Sequence, residues 1–191
     1  MNDLKDHFNT ISKLSESTWQ VILPFFKEEK LQKNEYFAEV DHTARKIAYL
    51  KTGVVRAFFV NQEGKEYNKQ FFVGPSLIGA YTSLLTGSKN LIAQQALTDC
   101  TIYSSNFESL TTLYNDHQDL ERFARKIAEY YFLEKEKKEI EIVLLDASER
   151  YARFKEEFPT LEQLIPQFHI ASYLGISATQ LSRIRKQPMR Q

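Results

Sequence analysis

The stretch LEQLIPQFHIASYLGISATQLSRIRKQPMRQ (residues 161–191) predicts a helix-turn-helix. Pro166 stands where the first turn of a helix tolerates proline, and apolar residues follow it at helical spacing. Gly175 marks the point where that helix ends and the chain turns through positive φ. Ser177 then suits the N-cap of a second helix, whose buried side includes Leu181. A helical hairpin in any α-helical domain could share this spacing. The exposed side chains of the second helix must therefore distinguish a DNA-binding motif from an ordinary hairpin.

The face of the second helix opposite Leu181 carries small, amide and basic side chains. Small residues let a helix approach base edges, and Gln and Arg make paired hydrogen bonds to them. The net charge of the chain is zero, yet residues 161–191 hold four basic residues and one acid, Glu162. Positive charge is therefore concentrated at this end. We predict DNA binding here, with the candidate contacts Gln167, Ser177, Ala178, Thr179, Gln180, Ser182, Arg183, Arg185 and Lys186.

Composition and cysteine usage are those of an ordinary soluble protein. The 191 residues are 42% hydrophobic and 26% charged, enough for one large domain or two small ones. A single cysteine, Cys100, excludes an internal disulfide and a four-thiolate iron–sulfur cluster, and its apolar surroundings predict a buried thiol. The opening MNDLKDHF lacks the apolar core of a signal peptide, and no run of 18 apolar residues occurs. We therefore expect a cytoplasmic protein.

The first 106 residues divide into a helical part and a strand-rich part. Residues 1–30 have helical apolar spacing, and Ser15–Ser17 offer a cap for a second helix. Short strands separated by glycine turns then predict a small barrel or jelly roll, with Gly64 supplying the left-handed residue of a QEGK hairpin loop. The predicted strands are Glu35–Val40, Lys46–Lys51, Val54–Asn61, Lys65–Val73, Leu91–Leu97 and Thr101–Ser105.

Beyond Asn106 the pattern predicts helices at 107–114, 117–145 and Ser148–Glu157. The block EKEKKE (134–139) is typical of a solvated helix face, supported by i,i+4 pairs such as Glu134–Lys138. A long amphipathic helix is also a natural dimer seam, and DNA readers of this kind usually bind twofold half-sites. We therefore predict a homodimer with the seam residues Leu120, Phe123, Ile127, Tyr130 and Tyr131.

This order of elements resembles the Crp/Fnr superfamily of bacterial transcription regulators over nearly the whole chain. The most similar part is ERYARFKEEFPTLEQLIPQFHIASYLGISATQLSRIRKQ (149–187), and the run IASYLGIS…LSRIRK resembles members from Bacteroidetes-type bacteria. LLDASERYARF (144–154) resembles the family's hinge before the DNA-binding domain. The resemblance implies a sequence-specific, DNA-binding transcription regulator whose partners are a palindromic DNA operator, a second copy of the chain, RNA polymerase and a small-molecule effector.

The fold that the resemblance implies is α+β. A double-stranded β-helix (a jelly-roll, cyclic-nucleotide-binding-like sensor domain) with N-terminal helices would cover residues 1–116. A long connecting and dimerisation helix would cover 117–146, and a winged-helix-like helix-turn-helix domain 147–191. Within that last domain the family's base-reading arginine matches Arg183. The Arg-Glu pair common in the first turn of the recognition helix matches Ala178 and Thr179, so the operator should differ from that of members with the pair.

The expected effector site departs from the family pattern. LIGAYTSLLTG (77–87) resembles the segment that binds a cyclic-nucleotide phosphate, but the position of its acidic residue holds Ala80. The family's Arg-Ser positions fall on Asn90 and Leu91, and a buried phosphate without a matching cation is unfavourable. Lys89 could supply only a point charge. We predict no cyclic-AMP binding and no cofactor. The candidate effector residues are Gly79, Ala80, Tyr81, Lys89 and Asn90; the family's base-contacting pair maps near Lys135 and Glu136.

Three alternatives remain open at this point. A metal-dependent barrel enzyme needs two or three histidines, but the strand region holds only His42, and nucleophile motifs and P-loops are absent. We therefore expect neither an enzyme nor a metal site. His169 lies in the predicted helix-turn-helix, where we expect it to face solvent. A haem sensor with His42 or His117 as axial ligand is the second alternative. The third is a barrel that acts through protein partners with a degenerate DNA-binding domain, because little sequence follows Lys186 for a β-wing.

Overall fold

The computed structural model describes residues 1–186 and has an α+β fold, as predicted. The stretch after Lys186, where the prediction of a short wing falls, lies outside the described residues. The helices are α1 (Asn2–Ile11), α2 (Glu16–Ile22), α3 (Tyr81–Thr86), α4 (Phe107–Thr111), α5 (Gln118–Leu144), α6 (Ala147–Glu157), α7 (Leu161–Leu164), α8 (Gln167–Leu174) and α9 (Ala178–Lys186). The strands are β1 (Lys27–Leu31), β2 (Tyr36–Ala38), β3 (Lys46–Thr52), β4 (Val54–Val60), β5 (Glu66–Val73), β6 (Ser76–Ile78), β7 (Ala93–Ala96) and β8 (Cys100–Asn106).

Two four-stranded sheets form the predicted jelly roll. Their strand orders are β1-β8-β3-β6 and β2-β7-β4-β5. Side chains from both sheets meet in one apolar core, because alternate residues of each strand point to the same face. That core contains Leu31, Ala48, Leu50, Val55, Ile78, Ala96, Cys100 and Ile102. The predicted burial of Cys100 is confirmed, and burial raises the pKa of its thiol.

Sequence reasoning missed β1 and β6. The sequence of β1 is KEEKL, whose four charged residues give no strand signal. The strand pairs antiparallel with β8 from Lys27–Ser104 to Leu31–Cys100. β6 is only three residues long and pairs with β3. Neither strand shows alternation long enough to be read as a period of two.

A second core joins the N-terminal helices to the first half of α5. Ser15 caps α2 as predicted, since its hydroxyl accepts a hydrogen bond from the Thr18 amide at 3.2 Å. The buried members of this core lie on α1, α2, α4 and α5, on β3, β6 and β8, and in the segments before and after α2. They are Leu4, Phe8, Leu14, Trp19, Ile22, Phe26, Tyr49, Leu77, Tyr103, Leu110, Leu120 and Phe123.

The chain forms two compact units. The first comprises Met1–Ala57 and Phe71–Leu133; the second comprises Phe58–Gln70 and the chain from Glu134 onward. The second unit therefore contains the end of the β4–β5 hairpin, which the predicted boundaries at 116 and 146 place in the sensor domain. Its buried apolar residues are Phe58, Tyr151, Phe154, Leu161, Ile165, Ile170, Ala171, Tyr173, Leu174 and Leu181. Within residues 1–186 no helix is long and apolar enough to cross a membrane.

Candidate nucleic-acid interface

The predicted helix-turn-helix is present in the second unit as α8, a tight turn and α9. α8 ends at Gly175, whose φ of 69° is left-handed, as predicted for this position. The Gly175 amide donates to the Ser172 carbonyl at 3.2 Å, and the Ile176 amide donates to the Ala171 carbonyl at 3.0 Å. These two bonds satisfy carbonyls at the end of α8 and reverse the chain within two residues.

The predicted cap and buried side of α9 are both confirmed. The Ser177 hydroxyl accepts a hydrogen bond from the Gln180 amide at 3.1 Å, and the Ser177 carbonyl accepts one from Leu181 at 3.0 Å. Leu181 is completely buried, as is Ile170 on α8, while Ala171 allows close approach of the two helices. α9 is thereby held by one apolar side and keeps its other side exposed.

The exposed side of α9 carries the side chains proposed to read DNA. Arg183 is exposed, and within residues 1–186 its guanidinium has no hydrogen bond or ion pair. Lys186 is exposed at the end of the helix, and Gln167 is exposed at the start of α8. The remaining exposed positions on this side of α9 and in its cap are Ser177, Ala178, Thr179, Gln180 and Ser182.

Arg185 differs from Arg183 in having an acidic partner. Its Nε lies 3.4 Å from Oε1 of Glu162, on α7. The same Glu162 oxygen accepts a hydrogen bond from the Tyr151 hydroxyl at 2.9 Å. Spacing along the sequence gave no indication of this contact, because α6, α7 and α9 each contribute one member.

The end of the β4–β5 hairpin is hydrogen-bonded to α8. The Ser172 hydroxyl accepts a hydrogen bond from the Asn68 backbone amide at 3.0 Å and donates one to the Glu66 carbonyl at 2.9 Å. The buried Asn68 side chain donates to the His169 carbonyl at 3.0 Å and lies 3.3 Å from its Nδ1. The expectation that His169 faces solvent is therefore wrong: it is 6% exposed, because the hairpin covers it.

The block EKEKKE is a solvated face at four of its six positions, since Lys135, Glu136, Lys137 and Glu139 are exposed. Lys138 departs from the expectation: it is half-buried, with Nζ 2.8 Å from the centroid of the Tyr173 ring. Burial lowers the pKa of Lys138 to about 8 and raises the pKa of Glu157, whose carboxylate accepts a hydrogen bond from the Tyr173 hydroxyl at 3.4 Å. The i,i+4 ion pair observed here is Lys135–Glu139 at 3.4 Å.

The predicted seam residues of α5 are corrected in part. Leu120 and Phe123 are 3% and 6% exposed and pack in the N-terminal core, so they cannot face a second copy. Ile127 is half-buried against the same core, and the Tyr131 hydroxyl donates to the Leu77 carbonyl at 2.9 Å. Of the five, only Tyr130 is exposed.

Exposed apolar side chains continue further along α5. In the first unit they include Tyr130, Phe132 and Leu133, and in the second unit Ile140, Ile142, Val143 and Leu144. Tyr130, Leu133, Ile140 and Leu144 fit the alternating three- and four-residue spacing of a helical seam, with Lys137 at the intervening position.

The predicted effector residues lie in the first unit, on the turn before α3, on α3 itself and on the loop after it. The Gly79 carbonyl accepts a hydrogen bond from Gln94 Nε2 at 3.0 Å, and Ala80 precedes α3. Tyr81 is exposed, with its ring edge against Phe107 at 6.0 Å between centroids. Lys89 is exposed. Gly79 and Ala80 therefore lie in the backbone turn before α3, while Tyr81 and Lys89 present their side chains at the surface.

The Asn90 side chain is hydrogen-bonded to backbone groups of its own loop and of the loop after β2. Its buried amide donates to the carbonyls of Glu39 and Ile92, and its Oδ1 accepts from the Ile92 amide at 3.2 Å. It is also the one predicted effector residue beside a cavity of about 210 Å³. The other lining residues are Phe37, Ala38, Glu39, His42, Thr43, Ala44, Arg45 and Lys46.

Three polar residues near this region were missed by sequence reasoning. Ser83 is buried, accepting from the Ala44 amide at 2.9 Å and donating to the Ser88 carbonyl at 2.6 Å. Gln94 is buried behind Gly79. Arg56 is 4% exposed and donates through Nε and Nη2 to Gln95 Oε1 at 3.0 and 2.8 Å. An arginine inside the apolar run VVRAFFV was the available signal for a buried polar contact.

The candidate metal and haem ligands have other partners. Nδ1 of His42 lies 3.1 Å from the Val40 carbonyl, and Nδ1 of His117 lies 3.0 Å from the Thr18 hydroxyl. Among the described residues, no group of three or more His, Cys, Asp or Glu side chains could hold a metal ion.

Solved structures with this architecture cover most of the chain. FixK2 from Bradyrhizobium japonicum superposes with a TM-score of 0.74 at 20% identity, over 85% of this chain and 83% of that one. A protein of Eubacterium rectale assigned to the Crp/Fnr family of transcriptional regulators superposes with a TM-score of 0.71 at 15% identity, over 90% and 82%. The chain has the Crp/Fnr fold. The c-di-GMP-responsive global regulator CLP of Xanthomonas campestris also shares this Crp/Fnr fold, with a TM-score of 0.70 at 15% identity over 90% of both chains. No protein-family model and no curated protein sequence matches the chain.

Proposed function

We propose that this protein is a sequence-specific DNA-binding transcription regulator of the Crp/Fnr type and not an enzyme, with α9 as its recognition helix. The observation that carries the proposal is a capped helix, anchored through Leu181, whose exposed side presents small residues, Gln180 and Arg183. An α-helix fits the major groove, where each base pair displays a distinct pattern of donors and acceptors. The proposed location is the bacterial cytoplasm, with RNA polymerase as a further partner.

Arg183 is the proposed base reader. Its exposed guanidinium can donate two parallel hydrogen bonds to O6 and N7 of a guanine, worth roughly 1–3 kcal/mol of discrimination. Gln180 and Ser182 are the further base-contact candidates on the same side. Arg185 and Lys186 are proposed to contact phosphates, which position the helix without specifying sequence.

The proposed active form is a homodimer. A helix that exposes Tyr130, Leu133, Ile140 and Leu144 at seam spacing gains stability by burying them against a second copy. Two recognition helices related by twofold symmetry then read an inverted repeat.

We propose that the sensor domain does not bind cyclic AMP and that it binds either another effector or none. Ala80 stands where the family places an acid for a ribose hydroxyl, and Asn90 stands where it places an arginine for the phosphate. The Asn90 side-chain amide already donates to the backbone carbonyls of Glu39 and Ile92, and Lys89 is exposed. These residues give a cyclic phosphate no buried cation.

Selection of bound duplexes from a random DNA pool at moderate salt tests the proposal. The expected result is an inverted repeat, which Arg183→Ala binds with lost discrimination at one base pair in each half-site. Arg125→Ala is the matched control, because it removes the same charge from an exposed position on α5. Recovery of no shared sequence by the folded wild-type protein would overturn the proposal and favour a barrel that works through protein partners.

A further inference from the structure

Tyr151, Glu162 and Arg185 form a connected cluster beside the recognition helix. The Tyr151 hydroxyl donates to Glu162 Oε1 at 2.9 Å, and Arg185 Nε lies 3.4 Å from the same oxygen. Tyr151 is 6% exposed, and the Glu162 and Arg185 side chains are 21% and 37% exposed. The carboxylate is therefore anchored on its inner side by a buried phenol, while the arginine lies at the surface.

Glu162 places a negative charge among the basic residues of the proposed interface. It is the sole acid in residues 161–191, which carry the basic residues of the proposed interface. Burial together with the neighbouring Glu162 carboxylate raises the pKa of Tyr151, so the phenol stays a hydrogen-bond donor. The hydrogen bond from the phenol holds the Glu162 carboxylate beside Arg185, where it competes with an approaching phosphate.

We propose that Glu162 is a positioning residue that limits the contribution of Arg185 to indiscriminate DNA binding. The inference rests on the proposed function. A DNA phosphate must compete with the Glu162 carboxylate for the guanidinium, and non-specific binding depends almost wholly on phosphate contacts. Specific binding uses the same phosphate contact in addition to base contacts such as that of Arg183. Glu162 thus lowers the affinity for any DNA sequence by a similar factor and leaves the discrimination between sequences to the base contacts.

Glu162→Gln tests this inference, because the amide keeps the shape of the side chain and removes its charge. Glu156→Gln is the matched control: it removes an equal charge from α6, where Glu156 is exposed and pairs with Arg153 at 3.1 Å. Both variants and the wild type are titrated with the selected duplex and with a shuffled duplex between 50 and 200 mM salt. Urea unfolding of each variant accompanies the titrations.

The expected result is a steeper salt dependence for Glu162→Gln on shuffled DNA. One added phosphate contact steepens the slope of log K against log salt by about 0.9, an extra loss of about 3- to 4-fold in affinity over this salt range. The affinity for both duplexes should rise with their ratio close to that of the wild type, while Glu156→Gln should follow the wild type. A merely structural role would leave the salt slope unchanged.

Arg185→Gln supplies the second test. If Glu162 acts through Arg185, Glu162→Gln should no longer change the salt slope or the affinity in the Arg185→Gln background. A wild type that binds DNA, with Glu162→Gln indistinguishable from Glu156→Gln, overturns this inference and leaves the proposed function standing. A folded wild type that binds neither duplex at 50 mM salt overturns both.

Discussion

The hydroxyl of Ser172 is predicted to stabilise the second unit by joining α8 to the hairpin end. It accepts from the Asn68 amide at 3.0 Å and donates to the Glu66 carbonyl at 2.9 Å. Ser172→Ala removes both bonds and leaves the remaining apolar packing of α8 unchanged. Because α9 packs against α8, these two hydrogen bonds also help to hold the recognition helix in place.

The expected loss follows from two partly buried hydrogen bonds. Each contributes about 0.5–1.5 kcal/mol net, and a buried backbone group deprived of its partner adds to the loss. Alanine returns roughly 0.5 kcal/mol through its higher helix propensity. The free energy of unfolding should therefore fall by about 1–2 kcal/mol on Ser172→Ala.

Urea denaturation followed by circular dichroism measures this loss. Ser182→Ala is the matched control, because Ser182 is an exposed serine on α9 and the substitution brings the same gain in helix propensity. The control should be as stable as the wild type or slightly more stable. Equal unfolding midpoints for Ser172→Ala and Ser182→Ala, with equal denaturant slopes, would refute the assignment of a stabilising joint.

Two further predictions concern the same unit. Leu181→Ala should lower the free energy of unfolding by about 2–5 kcal/mol, because Leu181 is fully buried and leaves a cavity between α8 and α9; a loss under 1 kcal/mol in urea denaturation would contradict this packing. For Lys138, burial lowers the folded-state pKa from 10.5 to about 8, so between those values the unfolded state binds the proton more strongly. The wild type should therefore gain roughly 3 kcal/mol relative to Lys138→Met as the pH rises from 8 to 10.5. A pH-independent difference between the two unfolding curves would contradict the buried, destabilised charge.

Local chemistry made part of the site predictable. Gly175 and Ser177 are read correctly because a left-handed turn and an N-cap each depend on a few neighbouring residues. The buried side of α9 likewise follows from helical spacing. Glu162 and His169 are different, since their environments are set by partners on other elements. The Asn68–His169 contact joins residues 101 positions apart, and no local pattern encodes such a pairing.

The amphipathic helix α5 shows a second limit of sequence reasoning. Spacing indicates an apolar face but does not say whether the chain's own core or another copy covers it. Leu120 and Phe123 pack within the chain, whereas Leu133 and Ile140 are more than half exposed. The charged strand β1 shows the converse case, because KEEKL forms a strand through pairing with β8 alone.

The specificity ratio of the folded protein tests the central claim most directly. The affinity for a duplex selected from a random pool is measured against that for a shuffled duplex of equal length and composition, at one stated salt concentration. A sequence-reading dimer predicts a ratio of about 10³ or more. A ratio near one, with the protein folded and both duplexes bound, would contradict base reading by α9 and reduce the interface to a phosphate-binding surface.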